Sequence, residues 1–237
     1  MKVLVLGHKG MLGHMVTKYL TDQNLQVVTI QHRYPSIEFK EELTLFDGGY
    51  IINCIGSIPQ RTDIFDLNYE LPLWLEKNTS SKIIHPGTDC EMDNDGYGVS
   101  KKQARDFIVK EGTHTKIIKS SIIGPEVLSS FGLMDWFLSQ EGEVGGYTKA
   151  LWSGNTTLEW AKKCFDLIFY WDDYKTENIL EGECLSKFDL LNLIKEIFKK
   201  DIKINPNDSV VLNKCLKGDI QTSNIKTQLK ELKEYYF

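Results

Sequence analysis

The stretch Lys2-Val3-Leu4-Val5-Leu6-Gly7-His8-Lys9-Gly10-Met11-Leu12-Gly13 decides the fold. Val3 to Leu6 is an unbroken, β-branched-rich apolar run, the pattern of a parallel strand buried on both faces. Gly7 ends it. Beyond the loop, Met11, Leu12, Met15, Val16, Tyr19 and Leu20 recur at helical spacing, which predicts a helix over Gly10–Leu20. Glycines at 7, 10 and 13 therefore sit on a strand-to-helix turn. They permit a tight turn and let backbone N–H groups approach a pyrophosphate at the positive end of the helix dipole. Their spacing is one residue wider than the better-known Gly-x-Gly-x-x-Gly. A ligand-free glycine turn would share the spacing, but the strand–loop–helix context points to a dinucleotide. Gly7, Lys9, Gly10, Met11, Leu12 and Gly13 are the expected contacts, with His8 nearby.

Leu25–Ile30 predicts the second strand, and its exit selects the cofactor. NAD-specific sites place Asp or Glu there, for the ribose 2′-hydroxyl. Here the chain leaves through Gln31-His32-Arg33, without an acid and with a guanidinium able to pair a 2′-phosphate. The expectation is NADP(H) in preference to NAD(H), with His32 and Arg33 at the phosphate; a solvated loop arginine is the plainer alternative. Further strands are expected at Tyr50–Ile55, Lys82–His85 and Thr115–Ile118, and a helix at Val99–Lys110. That alternation is the signature of an α/β, Rossmann-like, doubly wound parallel sheet. The second half instead suggests helices at Glu126–Gln140, Leu158–Tyr170, from Ser186 onward and over Asn224–Tyr235. We expect a dinucleotide-binding domain over 1–125 and a small, mainly helical substrate-binding part over 126–237, divided near Gly124-Pro125.

The composition narrows the function. With 237 residues and a net charge of −5, the chain has room for one α/β domain plus an appendage and lacks the basic footprint of a nucleic-acid binder. The initial apolar run is too short for a signal peptide or membrane span, and no later stretch is long enough. Five cysteines, an odd number with no Cys-x-x-Cys, argue against a disulfide framework or zinc site. No metal, no membrane and a cytoplasmic location are expected.

Tyr97-Gly98-Val99-Ser100-Lys101 contains Tyr-x-x-x-Lys, which on a helix places phenol and ammonium on one face. A nearby ammonium lowers a phenol pKa, so Tyr97 is a candidate proton donor to a carbonyl oxygen. Lys101 is a candidate partner for Tyr97 and for a nicotinamide ribose. Such a pair also arises by chance on exposed helices. Its place after a buried strand ending at Pro86-Gly87-Thr88-Asp89 strengthens it, because ligands of open α/β sheets bind beyond the carboxyl ends of the strands. Thr88 would hydrogen-bond the same carbonyl.

These segments resemble the extended short-chain dehydrogenase/reductases, and within them the dTDP-4-dehydrorhamnose reductase-like branch. The resemblance runs through Gly7–Gly13, Asn53-Cys54-Ile55-Gly56, Asn68 with Leu71-Pro72, Thr88-Asp89, Tyr97–Lys101, Ile122-Ile123-Gly124-Pro125 and Gly154–Ala161. It implies hydride transfer from NADPH to a nucleotide-linked 4-keto sugar in the synthesis of surface-polysaccharide sugars. Tyr97 would be the acid, Lys101 its partner and Thr88 the carbonyl orienter. It also implies that Cys54, Ile55 and Gly56 lie against the cofactor and that Asp89 lies toward the substrate. Asn68 matches a structural or cofactor-adjacent position. A homodimer is compatible with the resemblance.

The sequence departs from this pattern in two short intervals. Between Ile30 and Tyr50 there is little room for the usual helix and strand, and the Thr88–Tyr97 excursion over the pocket is abbreviated. Lys119 stands where relatives often carry arginine. Tyr147 and Trp152, in a glycine-punctuated segment, are candidates to stack on a nucleoside base, whereas Trp136, Phe137 and Trp160 are expected in the core. Two other readings compete. One is a sugar-nucleotide epimerase or dehydratase, which would retain its nicotinamide through the cycle. The other is a non-catalytic nucleotide-binding subunit, against which the intact Thr88, Tyr97 and Lys101 speak.

Overall fold

The structure is a computed structural model describing all 237 residues. The first half runs β1 (Lys2–Leu6), α1 (Met11–Asp22), β2 (Gln26–Thr29), α2 (Ile37–Thr44), β3 (Tyr50–Asn53), α3 (Leu67–Asn78), β4 (Lys82–Gly87), α4 (Gly96–Glu111), β5 (Thr115–Lys119) and β6 (Ile122–Ile123). The second half adds α5 (Leu133–Ser139), β7 (Glu143–Tyr147), β8 (Ala150–Trp152), β9 (Asn155–Thr156), α6 (Thr157–Phe169), β10 (Glu177–Glu181) and β11 (Leu185–Ser186). It closes with α7 (Lys187–Phe198), β12 (Lys203–Asn207), β13 (Leu212–Lys214), β14 (Ile220–Gln221) and α8 (Ile225–Tyr236).

Seven strands form one parallel sheet in the order β2-β1-β3-β4-β5-β10-β14. This is the Rossmann-like α/β fold expected from the alternation. The chain winds outward from β1 to β2, then returns to the other side of β1 to place β3. The carboxyl ends of β1 and β3 thus flank the topological switch point, where α/β sheets bind their ligands. The short interval between β2 and β3 accommodates α2 but no strand, leaving β2 at the sheet edge.

Alternate residues of the strands feed two cores, as the pleat requires. Val3, Val5, Ile52, Ile84 and Ile118 face the larger core, which α1 and α6 cover with Met15, Val16, Leu20, Trp160 and Leu167. Leu4, Leu6, Ile51 and Ile83 face a smaller one covered by Phe39 and Leu43 of α2 and Leu71 and Leu75 of α3. Truncating such a side chain to alanine costs about 2–5 kcal/mol.

Residues 126–237 hold four helices and eight short strands, two of which, β10 and β14, extend the central sheet. The remaining strands form a β7–β12 ribbon, a β11-β8-β13 sheet and, with β6, a β6–β9 pair. Thr156, Ser186 and Asn224 cap α6, α7 and α8 through side-chain oxygens that accept the N–H groups of Glu159, Asp189 and Thr227. The helix expected over Glu126–Gln140 begins only at Leu133. Glu126 folds back instead, its carboxylate accepting the Ser129 hydroxyl and the Phe131 N–H.

Contrary to the expectation from the cysteine count, Cys184 and Cys215 form a disulfide across a sequence separation of 31. An odd count without a Cys-x-x-Cys spacing says nothing against one long-range pair. Among the aromatics assigned to the core, Phe137 and Trp160 are fully buried, but Trp136 is exposed. No helix is long and apolar enough to cross a membrane.

Candidate active site

The glycine loop is shaped by two of its three glycines. Gly7 has φ +75°, and a Cβ there would lie 2.8 Å from the Cys54 backbone. A Cβ on Gly13 would lie 2.1 Å from the Gly7 carbonyl oxygen. The fold itself therefore requires both. Gly10 differs: it caps α1 in extended conformation, and a Cβ there would meet nothing closer than the Gly7 oxygen at 3.4 Å. The first turn of α1 carries no acid, and no side chain caps it. The N–H groups of this turn, Met11 and Leu12 included, are thus available to an anion.

Gln31, at the exit of β2, ties this loop together. Its Oε1 accepts Lys9 Nζ at 3.0 Å and its Nε2 lies 3.3 Å from His8 Nε2. Lys9 and the exposed Arg33 therefore flank the end of β2 as cations, with no carboxylate at Gln31-His32-Arg33. His32 is differently placed from the expectation of a free phosphate ligand. Its Nδ1 lies 2.7 Å from Glu42 Oε1, so the ring is committed to α2.

At the carboxyl end of β4, Thr88 opens a short 3₁₀ turn, Asp89–Met92, through a capping box. The Cys90 N–H donates to Thr88 Oγ1 at 3.3 Å, and the Thr88 N–H donates to Glu91 Oε1 at 2.9 Å. The Thr88 hydroxyl donates to Asp89 Oδ1 at 3.1 Å. Helix α4 abuts this turn at Gly98, where a Cβ would stand 2.4 Å from the Cys90 carbonyl oxygen. That close approach sets Tyr97 beside Thr88, with the phenol ring edge-on to Phe65 at 5.8 Å.

Burial pushes the Tyr97 phenol well above its ordinary range, with Cys90, Asp89 and Glu91 adding to the rise and a hydrogen bond with Thr88 opposing it. The expected lowering by Lys101 is not found. The buried Lys101 instead donates to the Pro86 carbonyl oxygen at 2.8 Å. Burial lowers its pKa to about 8, while Glu91, Cys54 and Cys90 resist that fall. Burial also raises the Cys54 thiol and, foremost among several influences, pushes Cys90 up to about 11, so neither is an activated nucleophile.

Asn68 links two parts of the site. Its side chain accepts the Ser57 N–H at 2.7 Å and donates to Ser100 Oγ at 3.1 Å, fastening the loop after Ile55 and Gly56 to α4. Asp89 is buried against Thr88. Trp152, in contrast, is a core residue whose indole N–H donates to Ser121 Oγ at 2.7 Å, so it offers no free face for base stacking. Tyr147 is exposed on the β7–β12 ribbon.

Two features escaped the sequence analysis. Lys214 of β13 forms an ion pair with Asp93, bringing the second half of the chain against the abbreviated Thr88–Tyr97 segment. Glu91 and Lys119 form a buried ion pair at 2.6 Å. The Thr-x-x-Glu spacing of Thr88-Asp89-Cys90-Glu91 is itself a capping-box signature, so Glu91 was visible in principle.

No family model matches the chain, and no curated protein matches it by sequence. Solved structures do. A dTDP-4-dehydrorhamnose reductase from Bacillus anthracis in complex with NADP superposes with a TM-score of 0.79 at 13% identity, covering 100% of this chain and 99% of that one. A dTDP-4-dehydrorhamnose reductase from Clostridium acetobutylicum gives 0.75 at 19% identity, covering 99% of each chain. A UDP-N-acetylglucosamine 4-epimerase from Bacillus cereus gives 0.76 at 15%, covering 99% and 98%. The chain therefore shares the Rossmann-like α/β fold of these enzymes over essentially its whole length.

Proposed function

We propose that this chain is an NADPH-dependent reductase of nucleotide-linked 4-keto sugars, acting in the synthesis of surface-polysaccharide sugars. The observation that carries the proposal is the convergence of Thr88, Tyr97 and Lys101 at the carboxyl end of β4, in a fold whose switch point presents the glycine loop.

The residues suit an NADP-type dinucleotide. Space is free at Gly10 for a diphosphate, the first turn of α1 brings no carboxylate, and Lys9 and Arg33 supply cations for a 2′-phosphate. Gly7, Met11, Leu12, Gly13, Cys54, Ile55 and Gly56 would line the same site, with NAD(H) as the weaker alternative. When bound, NADPH supplies the hydride for the carbonyl carbon. Tyr97 would deliver a proton to the carbonyl oxygen, and the Thr88 hydroxyl, which donates to Asp89 without substrate, would turn to orient that oxygen by a hydrogen bond. Lys101 would hold the nicotinamide ribose and contribute positive charge as the phenolate forms. Asp89 lies on the substrate side of Thr88.

A sugar-nucleotide epimerase or dehydratase of the same fold is the alternative, and it would retain its nicotinamide through the cycle. Likeness to solved enzymes of the three kinds supports the sugar-nucleotide class as a whole. The test is NADPH oxidation by the purified chain with dTDP-4-dehydrorhamnose and with UDP- and GDP-linked keto sugars. Turnover of at least one is expected. Bound, non-exchanging NAD with no net oxidation of NADPH would replace the reductase by the epimerase reading.

A further inference from the structure

Glu91 is a buried carboxylate that the chemistry above does not use. Its two oxygens have separate duties. Oε1 accepts the Thr88 N–H at 2.9 Å, and Oε2 takes Lys119 Nζ at 2.6 Å. Lys119, also buried, reaches Glu177 at 3.5 Å, and Glu177 is gripped by Arg105 at 2.7 and 3.1 Å. A line of alternating charges thus runs from Arg105 on α4, through Glu177 on β10 and Lys119 on β5, to the main chain of Thr88.

A buried ion pair is poor value as a stabiliser, because apolar residues of similar volume commonly serve as well. It does fix geometry. With its N–H tied to Glu91, its Oγ1 accepting from Cys90 and its hydroxyl donating to Asp89, Thr88 is held at main chain and side chain until a carbonyl takes that hydroxyl proton in place of Asp89. We propose that Glu91, clamped by Lys119, is a positioning residue that fixes the Thr88 main chain and so aims the Thr88 hydroxyl at the substrate carbonyl. This rests on the reading of Thr88 as the carbonyl orienter of a reductase.

The variants E91V/K119M and E91Q/K119M separate aim from stability. The first removes both charges and the acceptor for Thr88; the second removes the charges but retains an acceptor. Thermal melting is expected to change little in either, since Glu177 keeps Arg105, and any weakening of NADPH binding from the lost support of Lys101 should be equal in the two. With NADPH and dTDP-4-dehydrorhamnose, E91V/K119M is expected to lose about tenfold or more in kcat, the scale of effect that slight misplacement produces. E91Q/K119M should recover most of that loss. In a Thr88→Val background the gap in kcat between E91V/K119M and E91Q/K119M should close, because the acceptor acts through Thr88 while the charge that Glu91 lends Lys101 is absent from both.

An unchanged gap between the two variants in the Thr88→Val background, or native kcat in E91V/K119M, overturns the proposal. Amide hydrogen exchange on the unaltered protein supplies a measure independent of folding in the variants. The Thr88 amide should be strongly protected, and free exchange there overturns the anchor. If instead Thr88→Val itself retains native kcat, or no keto sugar is reduced, the reductase reading is what fails, and the aiming role falls with it.

Discussion

The ammonium of Lys101 donates to the carbonyl oxygen of Pro86 at 2.8 Å, fastening α4 to the end of β4 two residues before Thr88. The bond leaves two further N–H groups of the ammonium for a ligand. It also explains how a cation persists at a buried position: the carbonyl satisfies one donor, and Glu91 supplies opposite charge from the neighbouring turn.

Lys101→Met should therefore abolish turnover, weaken NADPH binding, and yet leave the protein at least as stable at pH 7. Burial lowers the folded pKa to about 8 from an ordinary 10.5. Between those values the unfolded chain binds more protons, so this group's contribution to stability rises with pH across about 8 to 10.5 and is unfavourable below. Melting temperatures of both proteins from pH 7 to 10 check the sign. Turnover of the unaltered protein should decline as pH climbs through about 8 and the ammonium discharges. A Lys101→Met variant that melts far below the unaltered protein at pH 7 would contradict this account.

Gly10→Val separates ligand need from fold need. Gly7 and Gly13 are demanded by the backbone around them, but a Cβ on Gly10 meets only ordinary contact. The variant should fold with a near-native melting temperature and lose NADPH. Denying two charge-assisted hydrogen bonds costs about 3 kcal/mol or more, or about 100-fold in Kd. Gly13→Ala should show the opposite pattern, a lowered melting temperature from the clash with Gly7. Cofactor titration and thermal melting of both variants check the contrast.

Arg33→Ala should weaken NADPH and leave NADH unaffected. A charge-assisted hydrogen bond to phosphate is worth about 1.5–3 kcal/mol, so NADPH Kd should rise about 10- to 100-fold. Fluorescence titration with both cofactors measures it. His32→Ala should have a smaller effect, because its ring is already held by Glu42. Equal loss of both cofactors in Arg33→Ala would point to a structural role for the guanidinium.

The elements with strong local patterns were legible in the sequence. β1 was marked by its unbroken apolar run, α1 by helical spacing, and α6, α7 and α8 by an amphipathic face behind a Thr, Ser or Asn cap. The small strands of the second half were not, since two- and three-residue pairings such as β6–β9 leave no periodicity to detect. Helices α2 and α3 were hidden for another reason. α3 contains Pro72, and both have weak apolar faces, so packing against the smaller core decides them rather than local preference. At the site, Thr88, Tyr97 and Lys101 could be read from spacing and strand position. Lys214 against Asp93 could not, because 121 residues separate them and nothing local announces the pairing. The disulfide between Cys184 and Cys215 was invisible for the same reason.

Tyr97→Phe tests the chemistry most directly. The phenol oxygen is the only atom removed, and the ring's edge-on contact with Phe65 does not involve it, so packing should survive. Gly98 still abuts the Cys90 carbonyl, and Lys101 still holds Pro86, so α4 keeps its seat. NADPH binding should accordingly remain near native. What disappears is the proton source. Burial, the largest influence, raises the phenol's pKa, so the group that Tyr97→Phe removes is a protonated phenol in the neutral range. A positioned general acid contributes about 10²–10⁴-fold, and kcat should fall by about that factor. Thr88→Val, which removes a hydrogen bond to the carbonyl but not the proton, should fall less. Steady-state kinetics on the two variants, with thermal melts as controls, fix the order. Near-native turnover by Tyr97→Phe would mean that the proton comes from elsewhere, and the roles assigned to Tyr97 and Lys101 would have to be withdrawn.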